Sequence, residues 1–222
     1  MHRTDSFFCQ CLRSNISGYD EINTNRKGNS MIFHINSKNR YASNEVSYLL
    51  KKCILHHPKK WSELVFLCIG SDKITGDSLG PYVGYQLKQY ILKNIFVYGT
   101  LSSPVHALNL EKTISFIEKK HPNALIIAVD ASLGRKKHLG YVTIGNGALY
   151  PGAGVQKELP PVGDIYITGI VNISGMMEQF TLQTTSLSTV ISLADIITQG
   201  ILSTILPITS QRQFSISNST NN

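Results

Sequence analysis

A chain of 222 residues, 42% hydrophobic and 16% charged, holds enough apolar material for one or two compact domains, which excludes a wholly disordered protein. No run reaches 18 consecutive apolar residues, and the least charged region, Phe180 to Gln211, carries Asp195 among Ser, Thr and Gln, so no membrane span is expected. Net charge is +7, but ten Lys and Arg against four Asp and Glu fall in residues 1–60 and eleven against ten in the rest; no aromatic residues interleave with Arg135-Lys136-Lys137, so nucleic acid is not expected as a partner.

Residues 1–40, rich in Asn, Ser, Arg and Gly without apolar periodicity, read as a flexible basic lead-in to one domain over 41–207, followed by a disordered polar tail over 208–222. The first 30 residues show no apolar stretch followed by a small-residue cleavage site, so a cytoplasmic protein is expected. Cys9, Cys11, Cys53 and Cys68 form no Cys-x-x-Cys pair, which fits a reduced compartment. Ser43-Asn44-Glu45 is placed to cap a helix through Val46, Leu49, Leu50, Cys53 and Ile54 that ends before Pro58. Leu64 to Ile69 is apolar throughout, as a parallel strand covered on both faces should be. A helix from Leu79 to Ile91, a strand from Ile95 to Tyr98, a helix from Val105 to Ile117 and a strand from Ala124 to Val129 follow. That alternation predicts an α/β fold with an open, mostly parallel sheet and right-handed crossovers. Gly140 to Ile144 and Asp164 to Val171 are shorter strand candidates, the Gly/Pro-rich connection from Pro151 to Gly163 reads as a lid, and Gln179 to Leu206 reads as one long or broken helix across the sheet.

Ligands of open α/β sheets bind outside the carboxyl ends of the strands, so the loops there are the places to look. The loop after the first buried strand, Gly70 to Pro81, carries Asp77, and the one after the third, Asp130 to Arg135, begins with Asp130. Two carboxylates converging there either hold a divalent metal through oxygen ligands or share a proton and activate water. The bland alternatives are a helix cap for Asp77 and a strand-end turn for Asp130. His106 follows the second strand and is the histidine best placed to join them, whereas His56, His57 and His121 sit at helix ends where the helix dipole accounts for them. Asp72, Glu158, Asp164 and Glu178 are further carboxylates in or next to loops. Neither a Gly-x-Ser-x-Gly elbow nor a Walker A pattern occurs, so acyl-serine chemistry and a phosphate cradle at the Gly-rich loop have little support.

Six strings carry a resemblance: Cys68 to Pro81; Tyr98 to Leu101 with Pro104-Val105-His106-Ala107; Ile127 to Ala131; Pro151 to Val155; Leu159 to Asp164; and Thr168 to Asn172. Over about residues 45–201 they closely resemble the sporulation protein YyaC family. That family is similar to the germination protease of spore-forming bacteria and to hydrogenase maturation peptidases, which implies a three-layer α/β/α, phosphorylase/hydrolase-like fold. In those relatives an acid in a first-loop pattern like Asp77-Ser78-Leu79-Gly80-Pro81 and one in a strand-end pattern like Asp130-Ala131 form the functional pair. The resemblance thus implies an endopeptidase of sporulation or germination, acting inside the forespore or spore on a protein or peptide. Its water would be activated by Asp77 and Asp130, with a divalent metal also held by His106 if the hydrogenase-peptidase pattern applies. The alternative it implies is a non-catalytic sporulation protein that uses the same acidic cleft for binding. Two departures stand out: Ser132 where the family has Cys, which argues against a thiol nucleophile, and Thr184-Thr185-Ser186 where it has Asn-Thr-Arg, which leaves the arginine without a counterpart.

Overall fold

The protein was analysed as a computed structural model that describes residues 31–90, 92–152 and 159–219. Its six strands are β1 (Ile32–Asn36), β2 (Glu63–Cys68), β3 (Ile95–Tyr98), β4 (Ala124–Gly134), β5 (Tyr141–Asn146) and β6 (Ile165–Ile173). They form one sheet in the order β1-β5-β6-β4-β2-β3. β3, β2, β4 and β6 run parallel, and β5 and β1 extend the sheet antiparallel.

The period-2 alternation of strand side chains sorts the parallel strands into two cores. Leu64, Phe66 and Cys68 of β2 with Leu125, Ile127 and Val129 of β4 face one core; Val65 and Leu67 with Ala124 and Ala128 face the other. Helices α1 (Ala42–Leu55), α2 (Leu79–Leu87) and α5 (Leu187–Ser219) cover the first face, and α3 (Leu110–Lys120) covers the second. The result is the expected three-layer α/β/α arrangement. A short α4 (Glu178–Gln183) adds Leu182 to the first core.

Several boundaries differ from the sequence-based expectation. The lead-in does not extend to residue 40: Ile32–Asn36 pairs with β5, and Ile35 is buried. The ordered domain therefore includes β1, and residues 1–30 lie outside the described residues. Asn39, not Ser43 or Asn44, organises the start of α1. Its Oδ1 accepts from the Tyr41 N–H at 3.1 Å, and its Nδ2 donates to Glu45 Oε1 at 2.6 Å. α3 begins at Leu110 rather than Val105, because the chain from Pro104 is held in a turn in which the Asn109 side chain bonds the His106 N–H and the Pro104 carbonyl.

The last helical stretch is broken at Thr184-Thr185-Ser186 into α4 and α5. The tail expected to be disordered from 208 is helical to Ser219, since extending an existing helix carries no new nucleation cost. Leu187–Pro207 is long and apolar enough to cross a membrane by length and composition, yet half of that window is buried in the fold. Val190, Leu193, Ala194, Ile197, Ile201 and Ile205 join the first core. Gln86 of α2 clamps α5 by donating to Asp195 Oδ1 and accepting from the Thr198 hydroxyl, both at 2.6 Å.

Candidate active site

The chain leaves β2 for β3 on one side of it, then returns to β4 on the other, so the helices after β2 and after β3 depart to opposite faces. A crevice opens at such a switch point, outside the carboxyl ends of β2 and β4. Asp77 and Asp130 flank it.

Asp77 is delivered by a loop that folds back on the end of β2. The Ser71 N–H donates to the Asp77 carbonyl at 3.0 Å, the Asp77 N–H to the Ile74 carbonyl at 3.0 Å, and the Gly70 N–H to the Val105 carbonyl at 2.8 Å. Gly70 has φ of +138°, and a Cβ there would collide with the Asp77 carbonyl, so only glycine permits this approach. Asp77 lies in a 3₁₀ turn, Thr75–Ser78, ahead of α2. It caps neither segment: the residues at both N-cap positions, Ile74 and Ser78, make no side-chain capping bond.

Asp130 was expected to open a loop, but β4 continues through it to Gly134 because β6 keeps pairing, with Asp130 opposite Thr168. β2 ends one residue earlier, with Cys68 opposite Val129. Asp130 thus stands in a paired strand just where its other neighbour has turned away. It is 7% exposed, and its Oδ1 accepts from the Ala131 N–H at 2.7 Å.

Both acids line one cavity of about 110 Å³, with apolar walls from Ile69, Ile74, Leu159 and Leu182. That is room for several water molecules. Burial pushes the Asp77 carboxyl up to about 6, against smaller opposing effects from the Ser71 N–H and from His106. Asp130 is pushed well above the usual carboxylate range, first by burial and then by the charge of Asp77. Asp130 thus resists ionising while Asp77 is charged.

His106 lines the same cavity from the turn before α3. Its Nδ1 accepts from the Leu108 N–H at 3.3 Å, which leaves the proton of the neutral ring on Nε2. Although Asp77, Asp130 and His106 share the cavity, no group of three or more His, Cys, Asp or Glu among the described residues is placed to hold a metal ion. Among the described residues, Asp77, Asp130 and His106 therefore do not make up a three-ligand metal centre.

The other sequence candidates have different places. Asp164 pairs with Lys59 Nζ at 2.8 Å and accepts the Ile126 N–H at 2.9 Å, at the amino end of β6 and away from the cavity. Asp72 is exposed, and Glu178 is not a lining residue. Glu158 and the centre of the expected lid, residues 153–158, lie outside the described residues, though Pro151, Gly152 and Leu159 on either side line the cavity. Ser132 lies beyond the cavity, its hydroxyl 3.5 Å from the Gly169 carbonyl.

His121 is not an exposed helix end. It is buried, its Nδ1 2.9 Å from Glu63 Oε2 and its Nε2 2.8 Å from the Tyr98 hydroxyl, with Phe96 against the ring. Gln179 of α4, which sequence reasoning passed over, also lines the cavity and adds an amide to it.

At Thr184-Thr185-Ser186 the buried member is Thr185, bonded by Asn172 Nδ2 at 3.1 Å. Asn172 Nδ2 also donates to the Thr181 carbonyl at 3.1 Å, which ties α4 to β6. The position of the missing arginine is the exposed Ser186, whose hydroxyl meets that of Ser188 at 2.8 Å.

Fold and crevice define a three-layer α/β protein with two carboxyl groups lining one cavity at its topological switch point. The chain belongs to the family described as protein of unknown function (DUF1256), whose model matches residues 34–200. It is 56% identical over 138 residues to the uncharacterized protein YyaC of Bacillus subtilis (strain 168), covering 62% of this chain and 67% of that one. Among solved structures it is similar to the [NiFe] hydrogenase maturation protease HycI from Thermococcus kodakarensis KOD1, at 17% identity and a TM-score of 0.38, over 67% of this chain and 98% of that one.

Proposed function

We propose that the protein is an endopeptidase in which Asp77 and Asp130 act together on one water molecule. The observation that carries this reading is that both carboxyl groups line one small, apolar-walled cavity, with the ionised form of Asp130 opposed by Asp77. Asp77, the less strongly shifted of the two, is the base, and Asp130 keeps the proton.

Water held between them loses a proton to the Asp77 carboxylate as its oxygen bonds to the peptide carbonyl carbon, and Asp130 donates its proton to the carbonyl oxygen. The tetrahedral intermediate then collapses. Asp77 passes the proton it took to the departing amine nitrogen, the C–N bond breaks, and one hydroxyl of the intermediate returns a proton to Asp130. The pair ends in its starting state, and one water has been consumed per bond. Because the described residues offer no three-ligand metal centre, the steps above are carried by the two carboxyl groups alone.

The resemblance of the first-loop and strand-end strings supports placing this activity in sporulation or germination, on a protein or peptide in the forespore or spore interior. The test is incubation of the purified protein with a spore-protein extract, with and without chelator, read by intact-mass spectrometry. The expected result is fragment pairs whose masses sum to a parent protein plus one water, formed equally with chelator and absent for Asp77→Asn and Asp130→Asn. Absence of fragments, or the same fragments from the Asn variants, overturns the reading.

A further inference from the structure

We propose that the outer edge of β1, with the basic turns beside it, takes an extended acidic polypeptide segment, a role independent of the peptidase reading. β1 ends the sheet, so its outer side has no strand partner. The Asn146 N–H donates to the Met31 carbonyl and the Ser37 N–H to the Gly140 carbonyl, both at 3.2 Å. Backbone groups of an antiparallel strand alternate in direction, so Phe33 and Ile35 also turn theirs to β5, while Ile32 and His34 turn theirs outward. No described residue bonds those outward groups. Such a row of unmet N–H and C=O groups is a template for one more strand.

The turns at the end of that edge are strongly basic. The Ser37 to Gly140 bond joins the turn after β1 to the turn before β5, and the stacked rings of His34 and His138, with centroids 5.7 Å apart, tie β1 to the same turn. Lys38 and Arg40 stand on the first turn and Arg135, Lys136 and Lys137 on the second, all exposed. None of these has an ion-pair partner among the described residues. The one carboxylate in residues 31–45 and 134–150, Glu45, is already engaged by Asn39 Nδ2 at 2.6 Å.

Edge and charge together select the occupant. A second copy of β1, Ile32–Asn36, could pair with the edge but brings no carboxylate to the cations. Nucleic acid could meet the cations but cannot pair with a row of backbone groups. An acidic strand does both, its main chain supplying affinity and its carboxylates supplying choice. Five residues of edge span about 17 Å, enough for a short peptide.

Ten-residue fluorescent peptides, read by anisotropy on the intact protein, give the test. One set joins a Val/Thr strand to four Glu, at either terminus in separate peptides; the controls carry Lys for Glu, or Pro at alternate strand positions, and an oligothymidylate of matched charge is run beside them. A Glu peptide should bind at least about tenfold more tightly than every control, and added salt should weaken it. Lys136→Glu with Lys137→Glu, both on an exposed turn, should remove that advantage. Ile32→Pro takes away one outward N–H and leaves the bonds to β5, so it should weaken the Glu peptide at least about threefold at unchanged Tm.

No binding by either Glu peptide overturns the proposal: the cations would then only guard the edge against association. Equal binding of the Pro peptide, or a Lys136→Glu, Lys137→Glu variant that binds like the parent, overturns it as well. Oligothymidylate binding as tightly as the Glu peptide shows a site for polyanions and not for a strand. A dimer of the parent that dissociates on Ile32→Pro gives the edge to a second copy of the chain.

Discussion

Replacing Asp77 by Asn tests the coupled pair through stability, without any substrate. Burial raises the Asp77 carboxyl from 3.8 to about 6, so the native state holds its proton more tightly than the unfolded chain. The contribution of this group to stability is therefore complete below about pH 4 and is lost as pH rises through about 6. A displacement of about two units corresponds to roughly 3 kcal/mol at pH 8. Asn keeps the shape and cannot ionise, but its amide still has to be desolvated, so the net gain should be about 2 kcal/mol at pH 8 and close to zero at pH 4.

For a domain of this size that gain is a rise in Tm of roughly 4–8 °C. Calorimetry of parent and variant from pH 4 to pH 8 reads it, since the difference between the two cancels every titrating group that Asp77 does not act on. Asp130→Asn should also stabilise at pH 8. The double variant should gain less than the sum of the singles by about 1 kcal/mol or more, because either substitution alone removes the same repulsion. If Asp77→Asn is no more stable than the parent at pH 8, or if the singles add, the carboxyl groups are not buried against each other and the reasoning fails.

Cleavage, once a substrate is found, should rise with pH through about 6 as Asp77 ionises and fall again when the pair loses its second proton; a rate that keeps increasing as pH falls from 6 to 4 contradicts the assignment of the base. A chain starting at residue 41 should lose the cooperative unfolding of the full protein, because it lacks β1, the buried Ile35 and the Asn39 bonds; equal Tm values would show that β1 is dispensable. At Gly76 an added Cβ would sit 2.8 Å from the Leu182 carbonyl and from Thr185 Oγ1, so Gly76→Ala must shift the turn that carries Asp77. It should destabilise by about 1–3 kcal/mol and, unlike a remote packing defect, flatten the pH dependence of stability between 4 and 8; an unchanged pH slope means that Asp77 has not moved.

The parallel strands were readable because a strand buried on both faces must be apolar at every position, as Leu64 to Cys68 and Ala124 to Val129 are. An edge strand carries a weaker signal. In Ile32–Asn36 only Ile35 is fully buried, and the partner strand lies more than a hundred residues downstream. Asp130 was found, but its setting was not. Asp-Ala-Ser after an apolar run has the composition of a turn, and pairing with β6 overrides it. Nor could the environment of His121 be read locally, since its partners Glu63 and Tyr98 stand 58 and 23 residues away.

Asp164 contrasts with the two acids proposed to act on water. Asp164 also stands at the end of a strand, yet it has a lysine ammonium at 2.8 Å and a backbone N–H at 2.9 Å, so its charge is met from both sides. Among the described residues neither Asp77 nor Asp130 has a lysine or arginine partner: both line the cavity walled by Ile69, Ile74 and Leu182, and the charge that acts on Asp130 is another carboxylate. Nothing in the packing requires that choice, because an amide of the same size would fill either position without the repulsion. The geometry that the glycine at 70 and the early end of β2 impose therefore works against stability at the one place where the topology opens a crevice. A cost located there and not at Asp164 is what a proton-sharing pair demands, and it is why the stability of the Asn variants and the loss of cleavage should go together.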